Sequence, residues 1–94
     1  MPYHLKRFSA AWRRANPATT ISLSADAPSR GRVDIYDVRG RLVRRVFDGT
    51  VPKGTIGLVW RGRDDHGRAA ASGTYFVRAI VGNRKEVTKV ILVQ

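Results

Sequence analysis

Short runs in which apolar and polar residues alternate fill most of this sequence, and they constrain its fold more than any other feature. In residues 20–25, strict alternation places Ile21, Leu23 and Ala25 on one face, as in a half-buried β-strand. Six such runs are predicted strands: residues 20–25, 32–36, 41–47, 56–60, 74–81 and 86–93. Dense turn signals without the spacing of β–α–β units predict an all-β antiparallel sandwich of about six or seven strands.

Turn residues separate the predicted strands. Residues 27–31 contain proline and glycine and predict a turn. Residues 37–40 predict a hairpin loop that combines a type I turn with a left-handed glycine. Residues 48–54 carry an Asp-Gly and a Lys-Gly pair and predict a longer loop, and residues 82–83 predict the last turn.

The first fifteen residues differ from the rest of the chain. Leu5, Phe8 and Trp12 have the spacing of one helix face, with cationic residues around it. Isolated helices shorter than about 12–15 residues are marginal in water, so residues 1–15 predict a basic tail that is disordered or a short helix. The predicted domain then covers residues 16–94. The tail lacks the apolar stretch of a secretory signal peptide.

Composition excludes several classes of function. The chain contains no cysteine, which excludes a disulfide framework, a thiolate zinc site and a cysteine nucleophile. It has no run of about 18 apolar residues that could span a bilayer. Asp64, Asp65 and His66 form the densest polar cluster, but they offer too few ligands for calcium or zinc and predict an Asx turn instead. We therefore predict no enzyme activity, no metal and no cofactor.

The charge of the chain is strongly positive, with 18 lysines and arginines against 7 acidic residues and a net charge of +11. Such a balance favours contact with nucleic acid or another polyanion. Solvated strand faces also carry many arginines, so both interpretations stay open. The candidate basic patch consists of Arg39, Arg41, Arg44, Arg45, Arg61 and Arg63.

Five blocks of the sequence, at residues 16–21, 35–43, 60–67, 72–76 and 88–93, occur in the order found in one known family. Together they resemble the FlgD-like Ig-like domain, which is the Ig-like domain of the flagellar hook-capping protein. They also resemble the related type A C-terminal sorting domains that the type IX secretion system reads. The resemblance covers residues 16–94, and its signature positions are Tyr36, Gly40, Trp60, Gly62, Asp64, Gly67, Gly73 and Tyr75.

The resemblance implies an Ig-like or fibronectin III-like sandwich that is secreted or displayed at the cell surface. It implies a non-catalytic accessory module that acts in sorting, surface anchoring or assembly by contacting export machinery or an assembly protein. In the sorting domains, the C-terminal strand carries the recognition signal. The matching residues here are also consistent with a strand that merely closes the sheet; they are Thr88, Lys89, Val90, Ile91, Leu92 and Val93. The alternative function is that of a small basic protein that binds nucleic acid or another polyanion.

Overall fold

The alternating runs form strands in the computed structural model, which describes residues 3–11 by their backbone and residues 18–93 with their side chains. Within these ranges no helix is present that could cross a membrane. The strands of the described residues are β1 (Tyr3–Ala11), β2 (Ala18–Ala25), β3 (Ser29–Asp37), β4 (Leu42–Val51), β5 (Gly54–Trp60), β6 (Gly73–Val81) and β7 (Arg84–Leu92).

Antiparallel pairing joins these strands into two sheets. One sheet has the order β1-β2-β5 and the other has the order β4-β3-β6-β7. At the margins, β1 comes within 8 Å of β7, and β4 comes within 8 Å of β5, measured between Cα atoms. The prediction of an all-β antiparallel sandwich is therefore confirmed.

The hydrophobic core lies between the two sheets and is built from every second residue of each central strand. Ile21 and Leu23 of β2 face Val33 and Ile35 of β3 and Val77 of β6, and none of these five side chains is exposed to solvent. Burial of a side chain of this size contributes about 1.5–3 kcal/mol to folding. The alternation in the sequence thus corresponds directly to core and surface.

An aromatic pair closes one end of the core. Trp60, the last residue of β5, is 2% exposed, and its indole N–H donates a 2.9 Å hydrogen bond to the carbonyl oxygen of Arg63. The ring of Tyr75 lies edge-on to it with centroids 5.3 Å apart, and the Tyr75 hydroxyl donates to the carbonyl oxygen of Ala71. Burial raises the pKa of Tyr75. Both polar groups of the pair are thereby satisfied.

Two predicted turns are confirmed. In the β3–β4 connection, the amide of Gly40 donates to the carbonyl oxygen of Asp37 at 3.0 Å, and Gly40 has a φ of 81°. The amide of Asp37 donates to the carbonyl oxygen of Arg41, which is the pattern of a type I turn followed by a glycine bulge. Residues 82–83 connect β6 to β7, and Gly82 has a φ of 61°.

Two other predictions about connections are wrong. The predicted turn at residues 27–31 is shorter, because β3 begins at Ser29. The predicted loop at residues 48–54 is mostly strand, because β4 continues to Val51. Cross-strand pairing explains both differences, since residues 29–32 pair in register with residues 48–51. An Asp-Gly sequence that favours a turn in isolation is held extended here by its neighbouring strand.

The prediction of a disordered tail or short helix is wrong for residues 3–11, which form β1. This strand pairs with the outer edge of β2, with Tyr3 opposite Ala25 and Ala11 opposite Ala18, and its register shifts between Lys6 and Ser9. The unpaired amides and carbonyls of the β2 edge supply hydrogen bonds that an isolated short helix cannot match. Residues 1–2 and 12–15 of the predicted tail lie outside the described residues, and the domain boundary at residue 16 stays a prediction.

Candidate functional surfaces

The loop between β5 and β6 packs against the exposed edge of β4. The amide of Asp65 donates to the carbonyl oxygen of Val43 at 2.9 Å, and the Asp65 carboxylate accepts a 3.0 Å hydrogen bond from the amide of Arg45. These are two of the backbone groups on this edge that a neighbouring strand would otherwise satisfy. The loop therefore protects part of this edge from pairing with another chain.

Two carboxylates organise the tight turns on this side of the molecule. Asp37 accepts hydrogen bonds from the amides of Arg39 and Arg41, and Asp64 accepts from the amides of His66 and Arg68, all at 2.9 Å. The predicted Asx turn at Asp64 is confirmed. The backbone hydrogen bond from Arg41 lowers the pKa of Asp37, and the one from Arg68 lowers the pKa of Asp64. Both carboxylates therefore act in turn formation.

Asp64, Asp65 and His66 are also the residues in the sequence that most resemble a metal-binding loop. Within the part of the chain that the structure describes, no three histidine, aspartate or glutamate side chains are grouped so that they could hold a metal ion. The hydrogen bonds of Asp64 and Asp65 instead connect the loop to itself and to β4.

The loop that carries Arg61 and Arg63 packs beside the start of β4. There Asp65 donates a hydrogen bond to Val43, and Asp64 accepts one from Arg44. Arg45 instead lies on the outer face of the four-stranded sheet, opposite Asp34. Four of the six arginines contact acceptors within the protein. Arg41 contacts Asp37 at 3.2 Å, Arg44 donates to the carbonyl oxygen of Asp64 at 3.3 Å, Arg45 contacts Asp34 at 3.0 Å, and Arg63 donates to the carbonyl oxygen of Gly67 at 2.9 Å. Arg39 and Arg61 are exposed. Much of the predicted patch therefore stabilises loops.

A groove of about 500 Å³ separates the hairpin from the loop. Its carboxylates already have cationic partners, since Asp37 pairs with Arg41 and Asp64 pairs with Arg68 at 3.4 Å. Opposite charges in the groove are thus matched locally, and the groove offers no excess of positive charge to an anion.

Sequence reasoning missed a cluster at the centre of the four-stranded sheet. Asp34 is 1% exposed although it points away from the core, because arginines from three strands cover it. Its carboxylate lies 3.2 Å from Arg32 Nε, 3.0 Å from Arg45 Nε and 3.9 Å from an Nη of Arg78. A carboxylate in the middle of a strand of β-branched and aromatic residues was the available signal. Its partners depend on strand register, which the sequence did not show.

Comparison with protein families gives the fold a family. The family model of the FlgD Ig-like domain matches residues 9–84. The chain belongs to the FlgD Ig-like domain family. FlgD Ig-like domains are structural, non-enzymatic modules of an extracellular flagellar component, and the resemblance stated from the sequence is confirmed for this family. A search of curated proteins finds no match.

The signature positions of this FlgD Ig-like domain fall in three places. Trp60 and Tyr75 lie in the core, and Tyr36 lies on the opposite face of the β3 sheet next to Asp34. The remaining positions are in turns or at strand starts, where Gly40, Gly62, Gly67 and Gly73 have positive φ and Asp64 accepts backbone hydrogen bonds. These positions therefore support the fold, with Tyr36 as the one on an outward face.

The predicted recognition segment of this FlgD Ig-like domain, residues 88–93, lies in β7 except for Val93, which follows the strand. β7 forms one edge of the four-stranded sheet. Its residues alternate sharply between core and solvent. Val90 and Leu92 are buried, whereas Val87 is 54% and Ile91 is 48% exposed. Thr88 and Lys89 are exposed and Val93 is half-buried. One side of β7 thus completes the core, and the other presents apolar side chains to solvent.

Proposed function

We propose that this chain is a non-catalytic module that holds an exported protein or a surface assembly together through protein–protein contacts. The family membership supports an extracellular structural role related to hook-cap assembly. The first form of this role is assembly, as in the hook cap. The second form is sorting or anchoring of a secreted protein, which the resemblance to type IX sorting domains suggests. Either form places the chain at the cell surface or outside the cell and requires a protein partner.

The observation that carries this proposal is the two-sided character of β7. Val90 and Leu92 anchor the strand in the core, so the outward side chains are presented on a fixed backbone. Exposed aliphatic side chains at Val87 and Ile91 cost solvation free energy in the isolated domain and gain it when a partner covers them. We therefore assign recognition to β7, with residues 88–93 as its candidate segment.

The alternative of nucleic-acid binding receives less support. The predicted patch contains Arg41, Arg44, Arg45 and Arg63, and each of them contacts an acceptor inside the protein. Phosphate contacts would have to compete with these interactions. A duplex reader should show a dependence of log binding constant on log salt with a slope of about −0.9 per neutralised phosphate. Fluorescence anisotropy with duplex DNA over a salt series measures this slope directly, and binding that persists at physiological salt would favour the alternative.

Photo-cross-linking in the native cell tests the protein-contact role. A photoreactive amino acid is placed at Ile91 in one variant and at Val59 in a control variant. Val59 lies on β5 in the other sheet and is 46% exposed, so the two positions have matched accessibility. We expect protein adducts at Ile91 and few at Val59. Equal labelling at both positions, or adducts with nucleic acid alone, would contradict the proposal.

The identity of the adduct separates the two forms of the role. Adducts with flagellar components support hook-cap assembly, and adducts with export machinery support sorting. A second test appends the full chain to a reporter in a type IX-competent cell, with Ile91→Asp and Val59→Asp as matched variants. Sorting predicts that only Ile91→Asp retains the reporter inside the cell. Retention of the unmodified fusion would reject sorting and leave assembly as the role to be tested by cross-linking.

A further inference from the structure

The outer face of the four-stranded sheet, meaning the side of β4-β3-β6-β7 that points away from the core, carries an excess of positive charge. The strand register places six cations on this face within residues 18–93: Arg30, Arg32, Arg45, Arg78, Lys85 and Lys89. Only two carboxylates share it among those residues, Asp34 and Asp48. Both are already paired with arginines, Asp48 with Arg30 and Asp34 with its three neighbours. The face therefore has positive charge that its own carboxylates do not balance.

Beside these cations lies a shallow apolar hollow of about 430 Å³. It is lined by Tyr36, Asp37, Val38, Gly40, Phe76, Arg78 and Val87. The Asp37 carboxylate at its margin is paired with Arg41 at 3.2 Å. Val38 is 68% exposed and Val87 is 54% exposed, so both present apolar surface to water. Tyr36 and Phe76 are directly opposite each other on β3 and β6 and form the floor. A concave apolar surface with a cation at its rim is suited to receive an apolar side chain next to a carboxylate.

Asp34 and Tyr36 hold Arg78 in a fixed position at this rim. The Arg78 guanidinium donates to the hydroxyl of Tyr36, and its central carbon lies 4.7 Å from the centre of the Tyr36 ring. Asp34 lies beneath, 3.9 Å from the same guanidinium. An arginine that is already oriented loses less side-chain entropy when it binds a carboxylate. Asp34 is thus a positioning residue for the face.

The chemistry of the face favours a protein partner over a nucleic acid. Single-stranded nucleic acids bind by stacking bases on accessible aromatic rings. Here Arg78 covers the ring of Tyr36, and the ring of Phe76 is half-buried in the floor of the hollow. The exposed apolar side chains nearby are the aliphatic Val38, Val87 and Leu42. Aliphatic side chains provide no stacking surface but pack well against other apolar side chains.

We propose that the outer face binds an acidic segment of a partner protein. An apolar side chain of that segment enters the hollow, and flanking carboxylates pair with Arg78 and with Lys89, which is opposite Phe76 on β7. This inference rests on the proposed protein-contact function and specifies its surface and the chemistry of its partner. Complementary charge relieves the mutual repulsion of the cations, and the apolar side chain covers Val38 and Val87.

The test is a titration of the chain of residues 1–94, labelled with ¹⁵N, with a short synthetic peptide. The peptide consists of aspartate and glutamate residues with leucine and phenylalanine at its centre. We expect amide shifts centred on residues 36–40, 76–78 and 87–89. A second peptide with serine in place of the two apolar residues measures the contribution of the hollow, and an oligothymidine probe measures binding of nucleic acid. The serine peptide should bind at least about threefold more weakly than the first.

Two matched pairs of variants locate the site. Val87→Ser should weaken peptide binding by about threefold or more, whereas Val59→Ser, at a similarly exposed valine on the other sheet, should not. Lys89→Gln should weaken binding, whereas Lys53→Gln, which removes the same charge from the exposed β4–β5 turn, should not. Both changes are at exposed positions, so the variants should fold. Arg78→Gln and Asp34→Asn then test the rim itself.

Several outcomes would overturn this inference. Equal weakening by Lys89→Gln and Lys53→Gln would reduce the interaction to net charge. Equal effects of Val87→Ser and Val59→Ser would remove the hollow as the apolar part of the site. Tighter binding of oligothymidine at the same amides would assign the face to nucleic acid. Shifts elsewhere, or no shifts, would remove the face as a peptide site. If cross-linking at Ile91 still gave protein adducts in that case, the proposed function would stand and only this surface would fall. If neither amide shifts on this face nor protein adducts at Ile91 were observed, the proposed function would be rejected as well.

Discussion

Gly31 is a core-facing residue of β3 that lies next to Val51, and its replacement by alanine tests the packing of the sandwich directly. It lies on the core side of β3, opposite Gly49 on β4 and Val81 on β6. A Cβ atom added at this position would lie 2.6 Å from Cγ2 of Val51, 3.4 Å from Cγ2 of Val81 and 3.5 Å from the carbonyl oxygen of Ile80. Steric exclusion, with no special backbone conformation, therefore requires glycine here.

The loss of stability expected for Gly31→Ala follows from the 2.6 Å distance to Cγ2 of Val51. Carbon atoms in contact are normally about 3.5–4.0 Å apart, so Val51 or the backbone of β3 must move by about 1 Å. Val51 is completely buried, so its side chain has little room to move. Overpacking of this kind costs about 1–3 kcal/mol. Gly→Ala also restricts the unfolded chain, which stabilises the folded state by about 0.4–1 kcal/mol where the site accepts a methyl group.

Gly57→Ala is the matched control. Gly57 lies within β5, and a Cβ atom added there meets no atom within 4 Å. Both variants restrict the unfolded chain equally, so the difference in their unfolding free energies isolates the steric cost at Gly31. We expect Gly31→Ala to be less stable than Gly57→Ala by about 1–3 kcal/mol, or at least about 4 °C in Tm. Urea unfolding followed by far-UV circular dichroism measures this difference.

A double-variant cycle assigns the cost to a particular contact. Val51→Ala removes the methyl groups that Gly31→Ala would meet, so the combined variant should be more stable than the sum of the two single changes predicts, by about 0.5–3 kcal/mol. Equal stability of Gly31→Ala and Gly57→Ala would refute the packing of β3 against Val51. If the destabilising effects of Gly31→Ala and Val51→Ala were additive, the steric clash in Gly31→Ala would not be with Val51.

Three further predictions test other parts of the fold. Trp60→Ala should lower the unfolding free energy by about 3–5 kcal/mol in urea titrations, and Trp60→Phe, which removes only the donor to the Arg63 carbonyl and part of the ring, should cost clearly less. The folded-state pKa values of Asp37 and Asp64 lie below 3.8, so these groups stabilise the fold above that pH and lose their contribution as the pH falls through the lowered values. Replacing both by asparagine should therefore flatten the fall in urea midpoint between about pH 5 and about pH 2, and an unchanged slope would contradict it. Deletion of residues 1–11 should expose the edge of β2 and thereby lower the urea midpoint and increase self-association in light scattering. A truncated chain that stays monomeric with unchanged stability would contradict the pairing of β1 with β2.

The sequence predicted the centres of strands well because core burial acts locally on alternate residues. Ile21 and Leu23 were predicted to share a face, and both are buried in the core of β2. The same argument worked for turns whose geometry depends on a few adjacent residues, as at Gly40. It failed where a neighbouring strand decides the outcome. The extension of β4 to Val51 and the pairing of β1 with β2 both depend on hydrogen bonds between distant segments.

Strand register also explains why the sequence shows the number of basic residues but not which of them lie together on one surface. The net charge of +11 says how many cations lack a carboxylate in the chain as a whole, yet it does not say which cations share one. Asp34 is opposite Arg45 on one side and Arg78 on the other only because β3 lies between β4 and β6. That arrangement removes Arg45 from the patch predicted along the hairpin and adds Arg78, which no pattern along the chain indicated. The residues that share one surface of a sandwich come from several strands. They can be identified from the sequence only when the register between those strands is known.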